Sequence, residues 1–194
     1  MAAPAWASAL QWVLWMVVMG AVMGWLGRSR LRNRPARDAR MLAHPASTFI
    51  VGFVSLAFFA GIAVVSNVYG NSTTTWWTTA IFVAFAVLSA LMILEYLVVK
   101  HEVSEGGLRY TRLFVWSRRY LRWSDLRGVR YAPAMKWFRL ESRRGDVVRV
   151  SAMLMGLPEF ARLLLAHSPQ GVIDADSRLV LEATAAGNPP SMWA

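Results

Sequence analysis

The chain of 194 residues contains no cysteine, so a disulfide framework, a thiol nucleophile and a cysteine zinc site are all excluded. Charge is scarce as well. Only 16% of residues are Asp, Glu, Lys or Arg, where a soluble domain carries roughly a quarter. The shortage is uneven, because residues 1–27 and 41–94 hold none of the four. Such a division marks a membrane part and a polar part rather than one globule. Histidine is limited to His44, His101 and His167, and their spacing gives no close pair of metal ligands. A glycine-rich phosphate loop, a serine nucleophile elbow and the HExxH pattern are missing. The 11 acidic residues are too scattered for a catalytic pair. No cofactor is expected, and the absences point away from an enzyme.

What is present begins with apolar runs, in a chain of mean hydropathy +0.38. The first covers residues 6–26, with Gln11 its only strongly polar member. At about 1.5 Å per residue it can cross a hydrocarbon core of roughly 30 Å. A cleaved signal peptide needs a basic segment ahead of a shorter apolar core, whereas here the charge follows the run. Residues 48–68 form the second run, with Gly52, Ser55, Ala60 and Gly61 scattered through it. Small residues let helices approach closely in lipid, and packing within this chain is the plainer reading. An uncharged link then leads to Trp76 and Trp77, where an interfacial aromatic belt is expected. The third run, 78–99, includes Ala84, Ala86, Ser89 and Ala90.

Between the first two runs lie Arg28, Arg30, Arg32, Arg34, Arg37 and Arg40 with one aspartate, a net charge of +5. Six guanidinium groups cannot be desolvated together without partners. The bias of Lys and Arg toward the cytoplasmic face makes residues 28–45 an inside loop. Three spans then place the N-terminus outside and the C-terminal part in the cytoplasm, at the inner (plasma) membrane of a cell. Glu95, five residues before Lys100, reads as an interfacial carboxylate rather than part of an ion pathway.

From residue 100 the period becomes strand-like. Glu105-Gly106-Gly107 separates two short segments as a hairpin turn does. Residues 120–123 and 126–131 supply further strands around the turn at Ser124-Asp125. Phe138 and Leu140 share one strand face, with Trp137, Arg139 and Glu141 on the other. After a turn at residues 143–146, Val148 and Val150 continue the alternation. A helix starts near Pro158, with Phe160, Leu163, Leu164 and His167 on one stripe. A short helix is expected over 174–184, with Asp176 or Ser177 near its start.

Four pieces in order, 103–108, 123–126, 138–150 and Gly156-Leu157, resemble the bacterial pleckstrin-homology-like (PH-like) domains attached to membrane spans. The resemblance covers about residues 97–167. It implies a bent β-sandwich or partly open barrel capped by a helix, generally without catalytic activity. The expected fold is thus three transmembrane helices plus a small cytoplasmic α+β PH-like domain of antiparallel strands with a C-terminal helix. Its divisions are a membrane region over 1–99, the domain over 100–168 and a tail over 169–194. Phosphoinositide-binding PH domains cluster basic residues in their first hairpin loop. Here that turn is acidic and glycine-rich, so phosphoinositide recognition is not implied.

Arg112, Arg118, Arg119 and Arg122 form a candidate patch for lipid or a partner, with Arg127 and Arg130 further on. In strand geometry Arg118, Tyr120 and Arg122 share a face, opposite Arg119, Leu121 and Trp123. Each basic side chain near an anionic leaflet contributes about 1 kcal/mol. The bland reading is a solvated strand face. Nucleic acid is the weaker partner, because Trp116, Tyr120 and Trp123 at strand spacing more often belong to a core. The functional expectation is a non-catalytic membrane protein whose domain meets a protein, another copy of itself, or anionic lipid headgroups. The alternative is an accessory subunit of a membrane transporter or enzyme complex.

Overall fold

The computed structural model describes residues 13, 14, 16–22, 24, 25, 28, 40–70, 74–112 and 115–191, without the side chains of 112 and 115–117. Of the first expected span, 6–26, residues 6–12, 15, 23 and 26 lie outside the described residues, and those described between 13 and 25 are helical. Arg30, Arg32, Arg34 and Arg37 of the basic loop also lie outside them.

Two helices dominate the apolar part, α1 (Ala46–Val68) and α2 (Trp76–Val98). Both are long and apolar enough to cross a membrane, each rising about 34 Å at 1.5 Å per residue. Pro45 stands at the N-cap of α1, and its carbonyl accepts from the Thr48 N–H at 2.9 Å. Thr75 caps α2 through its side chain, which accepts from the Thr78 N–H. Trp76 and Trp77 open α2, stacked at 3.6 Å and exposed.

The two helices form an antiparallel hairpin. They pack closely at Gly52, where a Cβ would lie 2.9 Å from Ile93 Cγ1 and 3.4 Å from the Ser89 carbonyl oxygen. Ser89 is buried, its hydroxyl donating to the Phe85 carbonyl within its own helix. Asn67 donates to Thr79 Oγ1 at 2.9 Å near the turn. Outward faces such as Phe53, Val54, Phe58, Ile81 and Leu88 remain exposed. A core helix of a water-soluble domain would cover such a face.

The polar part contains two antiparallel sheets. One has the order β1-β2-β3-β4, from β1 (Met41–Ala43), β2 (Lys100–Ser104), β3 (Gly107–Arg112) and β4 (Val115–Arg122). The other has the order β5-β6-β7, from β5 (Leu126–Ala132), β6 (Trp137–Ser142) and β7 (Val147–Ser151). A 3₁₀ turn at Trp123–Asp125 carries the chain from one sheet to the other. Helices α3 (Leu157–His167) and α4 (Ala175–Ala185) follow.

The alternation expected of the strands sets the core. Phe138, Leu140, Val148 and Val150 point inward, with Leu121 from the first sheet and Trp123 from the 3₁₀ turn. Trp123 is fixed further by its Nε1–H, which donates to the Ser104 carbonyl at 2.9 Å. Phe160 and Leu164 of α3 close the core, the Phe160 ring lying 6.4 Å from Trp123 and 5.9 Å from Phe138. Gly156 at φ 88 turns the chain into α3, with Pro158 in its first turn.

Two contributors come from outside residues 100–168. Leu42 of β1 is wholly buried in this core although it precedes both long helices. β1 pairs with β2, Ala43 opposite Lys100, while the Ala43 carbonyl accepts from the Met155 N–H at 2.9 Å. The long hairpin is therefore inserted between two neighbouring strands. At the other end Leu181 of α4 is also fully buried. Asp174 caps that helix, and Ser177 Oγ accepts from the Tyr131 N–H at 2.6 Å.

Candidate functional site

The insertion fixes the domain against the foot of the hairpin. Two residues, His44 and Pro45, separate β1 from α1, and Val99 alone separates α2 from β2. Links this short leave little freedom to reorient, and they bring one face of the first sheet beside the last turn of α2.

That outer face is set by strand alternation. Arg118, Tyr120 and Arg122 of β4 are exposed while Leu121 is buried between them. Arg118 stands opposite Thr111, whose hydroxyl donates to the Lys100 carbonyl at 3.5 Å. Lys100 and Arg118 therefore flank β3 in one cross-strand row, about 10 Å apart along the sheet. The next row holds Glu102 opposite Arg109 and Arg109 opposite Tyr120. Arg109 is paired with Glu102 at 3.2 Å, whereas Lys100 and Arg118 have no carboxylate partner among the described residues. A cleft of about 330 Å³ lies here, bounded by Leu97 and Val98 of α2, Lys100, Arg109 and Arg118.

The candidate patch is thus divided. Arg118 lines this cleft. Arg122 shares its face at the far end of β4, opposite Gly107. Arg119 points the other way and pairs with Asp146 at 3.2 Å. Arg112 ends β3 opposite Val115 at a register shift. Of the loop arginines, Arg28 donates to the Gly24 carbonyl at 3.2 Å, and Arg40 pairs with Glu105 of the β2–β3 turn at 3.4 Å. Lys100 and Arg109 were not singled out from the sequence. Their grouping with Arg118 depends on the register of three strands.

A second cleft of about 640 Å³ opens beside the same helix end, with Glu95, His101, Tyr110, Asp146 and Arg149 in its wall. His101 is buried, and that burial, with the nearby His44, pushes its imidazole down to about 4. His44 Nε2 lies 3.5 Å from Glu95 Oε1. Glu95 thus sits where the helix meets the domain, as its distance from Lys100 suggests. Among the described residues no three His, Asp or Glu side chains are grouped to hold a metal ion.

No curated protein and no solved structure matches the chain. Residues 99–166 do match a family model, that of the bacterial PH domain. The match begins at the end of α2 and runs to the last turn of α3, leaving out β1 and α4. This stretch of the chain is a bacterial PH-like domain.

Proposed function

We propose that this chain is a multi-pass protein of the bacterial plasma membrane that holds its PH-like domain at the cytoplasmic face as a non-catalytic interaction module. The observation that carries this reading is the hairpin insertion, since an apolar pair of helices leaves and re-enters the domain through neighbouring strands. Their exposed apolar faces favour lipid around the hairpin. The pairing of β1 with β2 puts residue 40, the end of the arginine-rich loop, beside the domain. The cytoplasmic assignment then follows from the positive charge of that loop.

Domain contacts with a protein, a second copy of the chain or anionic headgroups are all compatible with a charged, exposed sheet face. Crosslinking in native membranes, with mass spectrometry of what attaches to residues 100–191, tests the module. Recovery of a recurrent protein or lipid adduct supports it. Release of the whole chain by alkaline carbonate, which strips peripheral proteins, overturns the membrane assignment.

The accessory-subunit reading has one observation in its favour. Gly61 has open space beside it, and Ala84 and Ala90 are exposed on α2, small positions of the kind helices use for close approach in lipid. The mass of the detergent-purified assembly separates a homo-oligomer from a complex with a stoichiometric foreign subunit.

A further inference from the structure

We propose that the cleft at the foot of α2 binds one anionic phospholipid, with its phosphate between Lys100 and Arg118 and an acyl chain along Leu97 and Val98. The inference rests on the membrane reading and assigns a particular ligand site within it. Charge complementarity comes first. Lys100 and Arg118 lie on the same cleft, one strand apart on either side of β3, with no carboxylate partner among the described residues. Their long side chains can converge on an anion between them. Arginine offers a planar two-pronged donor for phosphate oxygens, and lysine a mobile point charge. Glu102, the acid in the same wall, is already engaged by Arg109 at 3.2 Å.

The apolar half of the cleft identifies what kind of phosphate fits. Leu97 is exposed in the last turn of a 23-residue apolar helix, and Val98 follows it directly. Leu97 follows Ile93 by four residues, on the flank of the contact with α1, and Val98 lies about 100° further round the helix, so a chain lying on the two runs along the side of α2 within hydrocarbon. A free anion gains nothing from such a wall, and an amphiphile gains from both halves. The short Val99 link holds the cationic row directly below the helix end, the depth at which headgroup phosphates lie.

The experiment uses the full chain in a neutral detergent, titrated with phosphatidylglycerol, phosphatidylcholine or glycerol 3-phosphate and followed by native mass spectrometry. Three proteins are compared: wild type, Lys100→Gln/Arg118→Gln, and Arg130→Gln/Arg139→Gln. The last removes the same charge from the exposed face of the second sheet. Phosphatidylglycerol should bind wild type in preference to phosphatidylcholine. Its affinity should fall at least about tenfold in the first variant, given two cations at the headgroup, and change by less than about twofold in the control. Thermal melting of all three shows that the domain is intact.

Equal loss in both variants overturns the site in favour of diffuse attraction, and undiminished binding in the first variant overturns it outright. Equal affinity for glycerol 3-phosphate makes it a free-phosphate site and removes the lipid. A wild type without headgroup preference also overturns the proposal. None of these results changes whether the chain resists carbonate extraction, so the site and the membrane reading fail separately.

Discussion

His101 is a residue whose environment reverses its usual behaviour. Burial, then the neighbouring His44, hold its imidazole down at about 4, against about 6.5 in an unfolded chain. Between those values the unfolded state binds a proton that the folded state does not. Stability is therefore full above pH 6.5, declines as pH falls toward 4, and levels off below that. The expected loss between pH 7.5 and pH 5 is about 2 kcal/mol. Denaturant titration at the two pH values measures it, and His101→Leu should flatten the difference. An unchanged slope in that variant would assign the effect to other groups. Gly107 offers a second residue-scale test, because a Cβ there would fall on the Leu121 carbonyl oxygen of the paired strand. Gly107→Ala should cost about 2 kcal/mol or more, as an overpacked site does, read as a lower denaturation midpoint. In sequence Gly107 was legible as a turn glycine, but the approach of β4 to its backbone was not. The inward Phe138, Leu140, Val148 and Val150 were legible, because alternation is local.

At the scale of elements, the least legible piece was β1. Three residues between a basic loop and a long apolar run show too little alternation to announce a strand. Their partner, moreover, lies 57 residues along the chain, at Lys100. Helix α4 was easier in extent, expected over 174–184 and found at Ala175–Ala185, although its cap is Asp174 rather than Asp176 or Ser177. The long helices were read to within two residues at each end, because composition alone defines an apolar run. The position of β1 has a direct consequence for what folds alone. Residues 100–191 by themselves lack Leu42, which is wholly buried in the domain core. Removing a buried leucine to alanine usually costs about 2–5 kcal/mol, and here the backbone pairing of β1 is lost as well. Because Ala43 and Lys100 stand opposite each other, a two-residue Asn-Gly turn can replace residues 44–99 and keep the strands paired. That fusion, starting at Arg40, should unfold cooperatively and resist denaturant better than residues 100–191. Equal midpoints for the two would show that β1 adds nothing to the domain.

Across the whole molecule, the proposed membrane placement poses the question of which side of the bilayer the domain would occupy. Sequence made the charge asymmetry plain, because six arginines precede the hairpin and the turn at its far end is uncharged. It gave no hint that the loop is joined to the domain by a strand. With β1 paired to β2, both ends of the hairpin open on the domain side, so the choice is between two orientations of one unit. Residues 100–194 also carry a net charge of +6, but long domains weigh less than short loops in setting orientation. The decision accordingly falls mainly on Arg28, Arg30, Arg32, Arg34, Arg37 and Arg40. Replacing all six with glutamine should yield a mixed population, with C-terminal reporter fusions active on both sides of the membrane. Arg40 also pairs with Glu105 at 3.4 Å, yet an exposed ion pair contributes at most about 1 kcal/mol. Domain folding should therefore survive the substitutions, and a change in sidedness can be read without a collapse in stability. Fusions that stay wholly cytoplasmic would move the topology signal out of this loop and into the domain.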